Sequence, residues 1–557
     1  MIIKYKTDPK GKYRRKTVEP GITVAQFVDL VKDNLKYDVY AARINQVVDS
    51  LDTILSTDSE LELLDMRTQV SKLIYQNSLN LIYIKAVDDV CPDCEVEIET
   101  ALSKGIYTEI KKNGKIVNLS EKKIAAIEER MYQLVEADLP FNREVVSRET
   151  AIEFLKANNR EERMYLLESV PNMEKVKFYS LDGYKDSFYG SMVPSTKYIK
   201  RFKLTKYRKG VLLRFPQPED PNSIPEHVDE VKLFGAYMEQ SEWDELLGVR
   251  YVSELNHKVE KGEYEDLIQL SEALHEKKVA QIADMIKRGH KRLILIAGPS
   301  SSGKTTFARR LCVQLRVVGL NPLYMGTDDY FVEREETPLD EHGEPNYEGI
   351  EAVDVKLFNN NMNDLLAGKE VDLPSFNFLT GHKEYGKRIT KIEPNQPIVI
   401  EGIHGLNDDL TKFIPKEEKF KIYISPLTQL NIDMHNRIPA TDERMLRRMV
   451  RDYQFRGHSA KDTISQWPKV RAGEDVNIFP YSDEADVLFN SYHVYEIAVL
   501  KKYAEPLLEE IKQGEPEYAD ARRMLRFLRF FQSIEDDSMI VNNSIIREFI
   551  GGSIFVK

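Results

Sequence analysis

The stretch Gly298-Pro-Ser-Ser-Ser-Gly303-Lys304-Thr305-Thr306 has the residue types and spacing to cradle the phosphates of a nucleoside triphosphate. Gly298 and Gly303 let backbone N–H groups approach phosphate oxygens with no Cβ in the way. Ser300, Ser301, Ser302 and Thr306 complete the loop and the first turn beyond it. Lys304 reaches the outer phosphates, and the Thr305 hydroxyl is a ligand for Mg²⁺. The chemistry requires a strand before the loop and a helix after it. The unbroken apolar run Leu293–Ala297 supplies the first, and Phe307, Leu311 and Leu315 give the second its apolar face. A chance glycine turn would lack all this context.

A P-loop names a nucleotide and leaves the acceptor open. Thr327-Asp328-Asp329-Tyr330-Phe331 follows a second apolar strand, Leu323–Met325, and strand ends of such sheets face the ligand crevice. Asp328 there is placed to take the proton of an acceptor hydroxyl. Taken alone, the same residues serve equally as a helix cap or turn. Pro397-Ile398-Val399-Ile400-Glu401-Gly402 is another buried strand ending in an acid, suited to holding Mg²⁺ directly or through water. Gly402 is expected to let the backbone approach the phosphates. Arg444, Arg447, Arg448, Arg451 and Arg456 crowd one segment. On a helix, Arg444, Arg448 and Arg451 share a face and read as a lid over the transferring phosphate, against the plainer reading of a solvated basic face.

These residues must be positioned by larger units. At 557 residues the chain is long enough for three or four domains. Residues 1–66 read as a small α+β unit, with strands at Met1–Tyr5, Arg15–Val18 and Leu61–Leu64 and a helix over Val24–Asn34. Residues 67–213 are mixed α+β, with helices at Glu121–Glu136 and Arg148–Ala157. Four prolines between Phe215 and Pro225 mark a linker, so residues 214–290 read as linker and helical connector. From 291 to 557, strands Leu293–Ala297, Leu323–Met325, Ile398–Ile400 and Phe420–Ile424 alternate with helices. That alternation predicts an α/β unit built on a parallel sheet.

Composition bounds the rest. A 42% hydrophobic fraction with 31% charged residues suits a globular protein, and no run is long enough to span a membrane. Three cysteines cannot build a disulfide framework, which points to a cytoplasmic protein. Cys91-Pro-Asp-Cys94 has zinc-like spacing but lacks a second pair. A formal net charge of −12 opposes bulk nucleic-acid affinity, although Lys197, Lys200, Arg201, Lys203, Lys206, Arg208 and Lys209 form a local basic set that permits RNA contact. The basic and aromatic segment Ala521–Phe531 reads as a helix packed on the preceding unit.

Residues from about 291 to 500 resemble the uridine kinase and phosphoribulokinase family of P-loop kinases. Asp328 matches the Asp of the family's Gln-Asp-Ser-Phe-Tyr-like segment, and Tyr330 falls within it. Asn346-Tyr347-Glu348-Gly349-Ile350-Glu351-Ala352-Val353-Asp354 is similar to Asn-Phe-Asp-His-Pro-Asp-Ala-Phe-Asp, which puts the sugar-binding acid on Glu348. Ile400-Glu401-Gly402-Ile403 resembles Phe-Glu-Gly-Ile. The arginine lid and the trailing Ser-Gln-Tyr resemble Arg447–Asp452 and Ser465-Gln466-Trp467. The resemblance implies ATP and Mg²⁺ and a nucleoside acceptor. It places Lys304, Asp328, Arg448 and Arg451 in catalysis, Arg456 at the nucleotide, and Tyr330, Glu348, Phe376, His382, Arg448, His458 and Gln466 at the acceptor. The departures fall at the base: Pro374-Ser375-Phe376-Asn377-Phe378 replaces Pro-x-Tyr-Asp-Phe, His382 comes one position late, and His458 stands where the family has Arg. A sugar-phosphate acceptor is therefore a second reading.

The first 66 residues resemble a TGS domain, the ubiquitin-like fold that begins threonyl-tRNA synthetases, through Gly21-Ile22-Thr23-Val24 and Val47–Asp52. Residues 67–213 resemble the synthetase editing module, with Met192-Val193-Pro194-Ser195-Thr196 similar to His-Val-Pro-x-Thr. Its His, His, Cys and His fall on Asn77, Leu81, Phe188 and Met192, which cannot bind metal, so no zinc and no deacylation are expected there. This likeness also motivates a third reading, an ATP-switched tRNA-binding regulator. The sequence permits a homo-oligomer.

Overall fold

The computed structural model describes residues 1–8, 11–339, 343 and 345–556. The first sheet is mixed and five-stranded, in the order Arg14–Thr17, Ile2–Lys6, Ser59–Asp65, Val39–Ile44, Val47–Asp49. The helix Val24–Leu30 closes it, capped by Thr23 in a reciprocal capping box with Gln26. Strand and helix positions follow the apolar spacing closely, and Val24 and Phe27 are buried as that spacing requires.

A 22-residue helix, Gln69–Val90, leads into an antiparallel sheet built from Glu95–Leu102, Gly105–Lys112, Lys115–Ile116, Gly210–Arg214 and Lys203–Tyr207. Glu121–Glu136 and Arg148–Ala157 are helical as read, each capped by a serine, Ser120 and Ser147. The proline-rich stretch is irregular, yet Phe215 and Gln217 are buried, and Gln217 Nε2 donates to the Lys104 carbonyl at 2.7 Å. The segment therefore packs against the front half. Helices Val231–Leu247, Val252–Glu260 and Tyr264–Arg288 follow.

The C-terminal half holds a five-stranded, fully parallel sheet in the order Leu323–Gly326, Ile398–Glu401, Leu293–Ala297, Lys419–Ser425, Val487–Asn490. Every residue of the central strand Leu293–Ala297 is buried, as expected of a parallel strand covered on both faces. The fifth strand, Val487–Asn490, carries no strong sequence signal because it is four residues long and follows a six-residue 3₁₀ stretch. Tyr518–Leu528 is a helix with Ala521, Met524, Leu525, Phe527 and Leu528 buried, so its aromatic face belongs to a core.

The two halves interlock through the segment 430–436. Met434 accepts from the Ile98 N–H at 2.8 Å, and Asn431 Nδ2 donates to the Ile98 carbonyl at 3.0 Å. Asn436 Nδ2 donates to Ser187 at 3.0 Å, and Tyr189 donates its hydroxyl to Asp433 at 2.8 Å. Asp186 is fully buried and meets both Arg163 and His435. Burial pulls His435 well below its ordinary value, while its Nδ1 faces Asp186 and its Nε2 lies 3.0 Å from the Val96 carbonyl. No helix among the described residues is long and apolar enough to cross a membrane.

Candidate active site

The phosphate cradle is a turn between the central strand and the helix Lys304–Val317. Ser301 at φ 60° and Gly303 at φ 82° turn successive N–H groups inward, an anion-binding nest. Gly298 has no room for a side chain, since a Cβ would lie 1.9 Å from the Ile424 carbonyl oxygen. The cradle opens into a cavity of ≈ 260 Å³ walled by Ser300–Thr305, Arg448, Arg451, Arg456 and Glu548. Lys304 Nζ donates to the Gly298 and Pro299 carbonyls at 2.9 and 3.2 Å. Burial pulls its ammonium down, while Glu401, Glu548, Glu474 and Asp328 hold it up.

Thr305 Oγ1 donates to Glu401 Oε2 at 3.0 Å, and Tyr324 donates to the other Glu401 oxygen. Arg309 stacks on the Tyr324 ring at 3.6 Å and fixes it. Burial raises the Glu401 carboxyl, with those hydrogen bonds and Lys304 opposing. A hydroxyl and a carboxylate side by side, both oxygen donors beside a phosphate cradle, fit Mg²⁺.

Asp328 sits one residue past Thr327 at the foot of the crevice and is exposed there. Reduced access to water raises its carboxyl; Lys304 lowers it and Asp329 raises it. Asp329 is held away by Arg388, which donates to it at 2.5 Å. Glu348 packs against Gly473, and burial raises it, with Lys304 and Arg448 opposing. Lys304, Asp328 and Glu348 thus share one electrostatic environment.

Ala440–Arg456 is helical, and its arginines divide into two sets. Arg448, Arg451 and Arg456 converge on Asp452, which is 1% exposed, and Arg448 Nη1 donates to Ser300 Oγ at 2.8 Å. Arg444 and Arg447 are instead structural. Arg444 pairs with Glu474 and donates to the Ser300 carbonyl at 3.0 Å; Arg447 is fully buried against Glu496. The expectation that Arg444 belongs to the lid face is corrected accordingly.

Further corrections concern the acceptor side. Tyr330 is fully buried, edge-on to Phe358 at 5.1 Å, with its hydroxyl taking a bond from Asn361, so it faces the core and not an acceptor. Packing alone requires a glycine at 402: a Cβ there would lie 1.9 Å from Thr327 Oγ1. His382 is exposed on a hairpin and bonds Glu333 at 2.7 Å. Gln466 is exposed on the helix Ala460–Asn477. The His458 N–H donates to Asp452 O at 3.1 Å, while its buried Nδ1 bonds nothing in the protein. Phe376 is 8% exposed and edge-on to Phe331 and Phe378 at 5.7 and 5.2 Å. Phe331 also meets Tyr347 at 5.9 Å, and Phe378 is 60% exposed. Phe331 of that aromatic cluster follows Asp328 by three residues, and of the four rings only Phe376 was assigned to the acceptor from sequence.

Sequence reading also missed three acids or neutral groups at the site. Glu474 accepts from the Ser300 N–H at 2.8 Å. Glu548 accepts from Thr306 Oγ1 at 2.7 Å, and Ile545 lies behind Gly303. His404 is buried beside the Glu348–Gly349 backbone and driven down to about 4 by burial, hence neutral. None carries a local motif, and Glu474 and Glu548 reach the cradle from far along the chain. Of the front-half positions, Leu81, Phe188 and Met192 are buried in a hydrophobic core, and Asn77 lies 3.5 Å from the Ser191 carbonyl. One group of three potential metal ligands occurs among the described residues, Glu97, Glu99 and Glu109, and Lys111 and Arg250 already meet its charge.

Residues 293–498 match the model of the Phosphoribulokinase / Uridine kinase family, and this part of the chain is similar to that family. Among solved structures, a protein described as a possible uridine kinase from Bacillus stearothermophilus is 21% identical, with a TM-score of 0.23 over 36% of this chain and 89% of that one. D-glycerate 3-kinase from Cryptococcus neoformans is 13% identical, with a TM-score of 0.21 over 45% and 87%. The N-terminal region is similar to threonine–tRNA ligases. The ligase of Caldanaerobacter subterraneus is 28% identical over 204 residues, 37% of this chain and 30% of the ligase. That of Listeria monocytogenes serotype 4b is 30% identical over 189 residues, 34% and 29%. The chain spans under a third of the length of these ligases.

Proposed function

We propose that this chain is an ATP-dependent kinase that phosphorylates a hydroxyl of a nucleoside. The family match supports phosphotransfer to a hydroxyl. The observation that carries the nucleoside reading is the aromatic cluster of Phe331, Tyr347, Phe376 and Phe378, in which Phe331 follows Asp328 by three residues, an apolar platform for a planar base.

In this mechanism the loop amides and Lys304 hold the triphosphate, with the Lys304 ammonium leaving its two carbonyl partners for phosphate oxygens. Thr305 and Glu401 would hold Mg²⁺, which supplies charge neutralisation at the phosphates. Glu348 grips ribose hydroxyls. Asp328 takes the proton as the acceptor oxygen bonds to the γ-phosphorus, and the bond from that phosphorus to the bridging oxygen breaks, releasing ADP. Arg448 and Arg451, steered by Asp452, meet the developing charge, and Arg456 faces the nucleotide. The front half acts in this reading as a packed partner of the kinase domain. Its basic residues Lys197, Lys200, Lys203 and Arg208 pair with Asp138, Asp38, Glu128 and Asp229, which leaves little free charge for RNA. A screen of ADP release over nucleosides, sugar phosphates and glycerate tests the proposal. Turnover with a nucleoside, absent in Asp328→Asn, is the expected result; turnover only with a phosphosugar would replace the acceptor.

A further inference from the structure

A cavity of ≈ 150 Å³ lies where the helix Gln69–Val90 of the front half meets residues 432–442 and the helix Tyr518–Leu528 of the C-terminal half. Its polar wall includes buried groups without hydrogen-bond partners. Among the described residues the Arg437 side chain has no hydrogen bond or ion pair, and its Nε is buried and unsatisfied. Arg526 stands at the mouth, exposed, without a carboxylate partner and with Arg522, Arg523 and Arg529 nearby. Asn80 is 2% exposed, and its side-chain oxygen bonds nothing. The acid in the wall, Asp442, is already taken by Arg523. Burial pulls Arg437 down to about 10, with Asp442 opposing.

A half-buried guanidinium whose Nε is desolvated and without a hydrogen-bond partner is costly, and a planar fork of donors is suited to a phosphoryl group. The space equals about five water molecules, enough for a phosphate with a short organic tail. We infer that this cavity binds a small phosphate-bearing molecule, an ester or the free ion, held by Arg437 and Arg526. The site lies outside the kinase crevice. It is nevertheless joined to it, because the helix that begins three residues after Arg437 carries Arg448, Arg451 and Arg456 into the nucleotide cavity.

The test is calorimetric titration of the full chain, saturated with ADP and Mg²⁺, with inorganic phosphate or glycerol 3-phosphate. One further equivalent should bind, and Arg437→Ala and Arg526→Ala should each weaken it at least tenfold. The tighter of the two probes assigns ester or free ion. Should the variants fail to fold, mass spectrometry of phenylglyoxal-treated wild-type protein reads the same site, and the probe should slow labelling of Arg437 at least fivefold. No further equivalent, wild-type affinity in both folded variants, equal binding of malonate, or unprotected Arg437 would each overturn the inference.

Discussion

Gly402→Ala is the sharpest probe of how the site is positioned. The added Cβ would fall 1.9 Å from Thr327 Oγ1 and 2.7 Å from its Cβ and Cγ2, against an ordinary contact of 3.4 Å or more. Thr327 is 2% exposed and cannot swing into solvent. Relief therefore demands a shift of about 1.5 Å between the strand end carrying Glu401 and the turn carrying Asp328, a displacement of the size that costs about 100-fold in rate. That corresponds to about 2.7 kcal/mol of barrier. Overpacking should also lower stability by about 1–3 kcal/mol. The assay is steady-state ADP release with the best acceptor of the screen, alongside thermal melts. A fall in kcat with little change in KM for ATP is expected, because the cradle lies on the other side of the strand. Gly326→Ala is the control, since the nearest atom to its new Cβ is 3.9 Å away. Adding Thr327→Ala to the variant removes two of the three clashing atoms and should restore part of the rate. A Gly402→Ala enzyme within threefold of wild type and equally stable would refute the claim that this packing sets the Asp328 position.

Asp328→Asn should lower kcat at least a hundredfold with ATP affinity nearly intact, read by single-turnover kinetics; near-normal turnover removes it from the base role. Lys304→Ala should reduce transfer by three orders of magnitude or more while circular dichroism shows a folded protein. Asp244 is buried, and burial raises it to about 7, with the bond from Gln240 opposing. The folded state therefore binds this proton more tightly. Its contribution is complete below about pH 4 and is lost as pH rises through 7, so Asp244→Asn should raise Tm more at pH 8 than at pH 5. An equal shift at both pH values would contradict the sign. Ile545→Ala should cost about 2–4 kcal/mol in urea melts, since Ile545 is fully buried behind the P-loop glycine.

The legible parts of this molecule were those written in contiguous residues. Leu293–Ala297 is apolar at every position and bounded by glycine, so strand, turn and helix followed directly. Glu121–Glu136 has apolar residues one turn apart after a serine cap, and the helix has those bounds. Tyr330 failed because a motif position says nothing about which way a side chain points; in a 3₁₀ turn it rotates inward while Asp328 rotates outward. The division of the arginines was hidden for a similar reason. Arg447 and Arg448 are adjacent in sequence, yet a helix turns each residue by about 100°. One therefore reaches Glu496 in the interior and the other Ser300 at the cradle. Glu474, Glu548 and Ile545 escaped because their partners lie more than 170 residues away.

The tail behind the cradle bears on where the family-matched region can be cut. The family match stops at 498, but Thr306 donates its hydroxyl to Glu548, and Gly303 rests on Ile545. A fragment ending at the match would keep every motif residue while removing the wall its glycine leans on. For a chain still leaving the ribosome, the nucleotide pocket is therefore among the last things to be finished, although the residues that define it emerge near the middle.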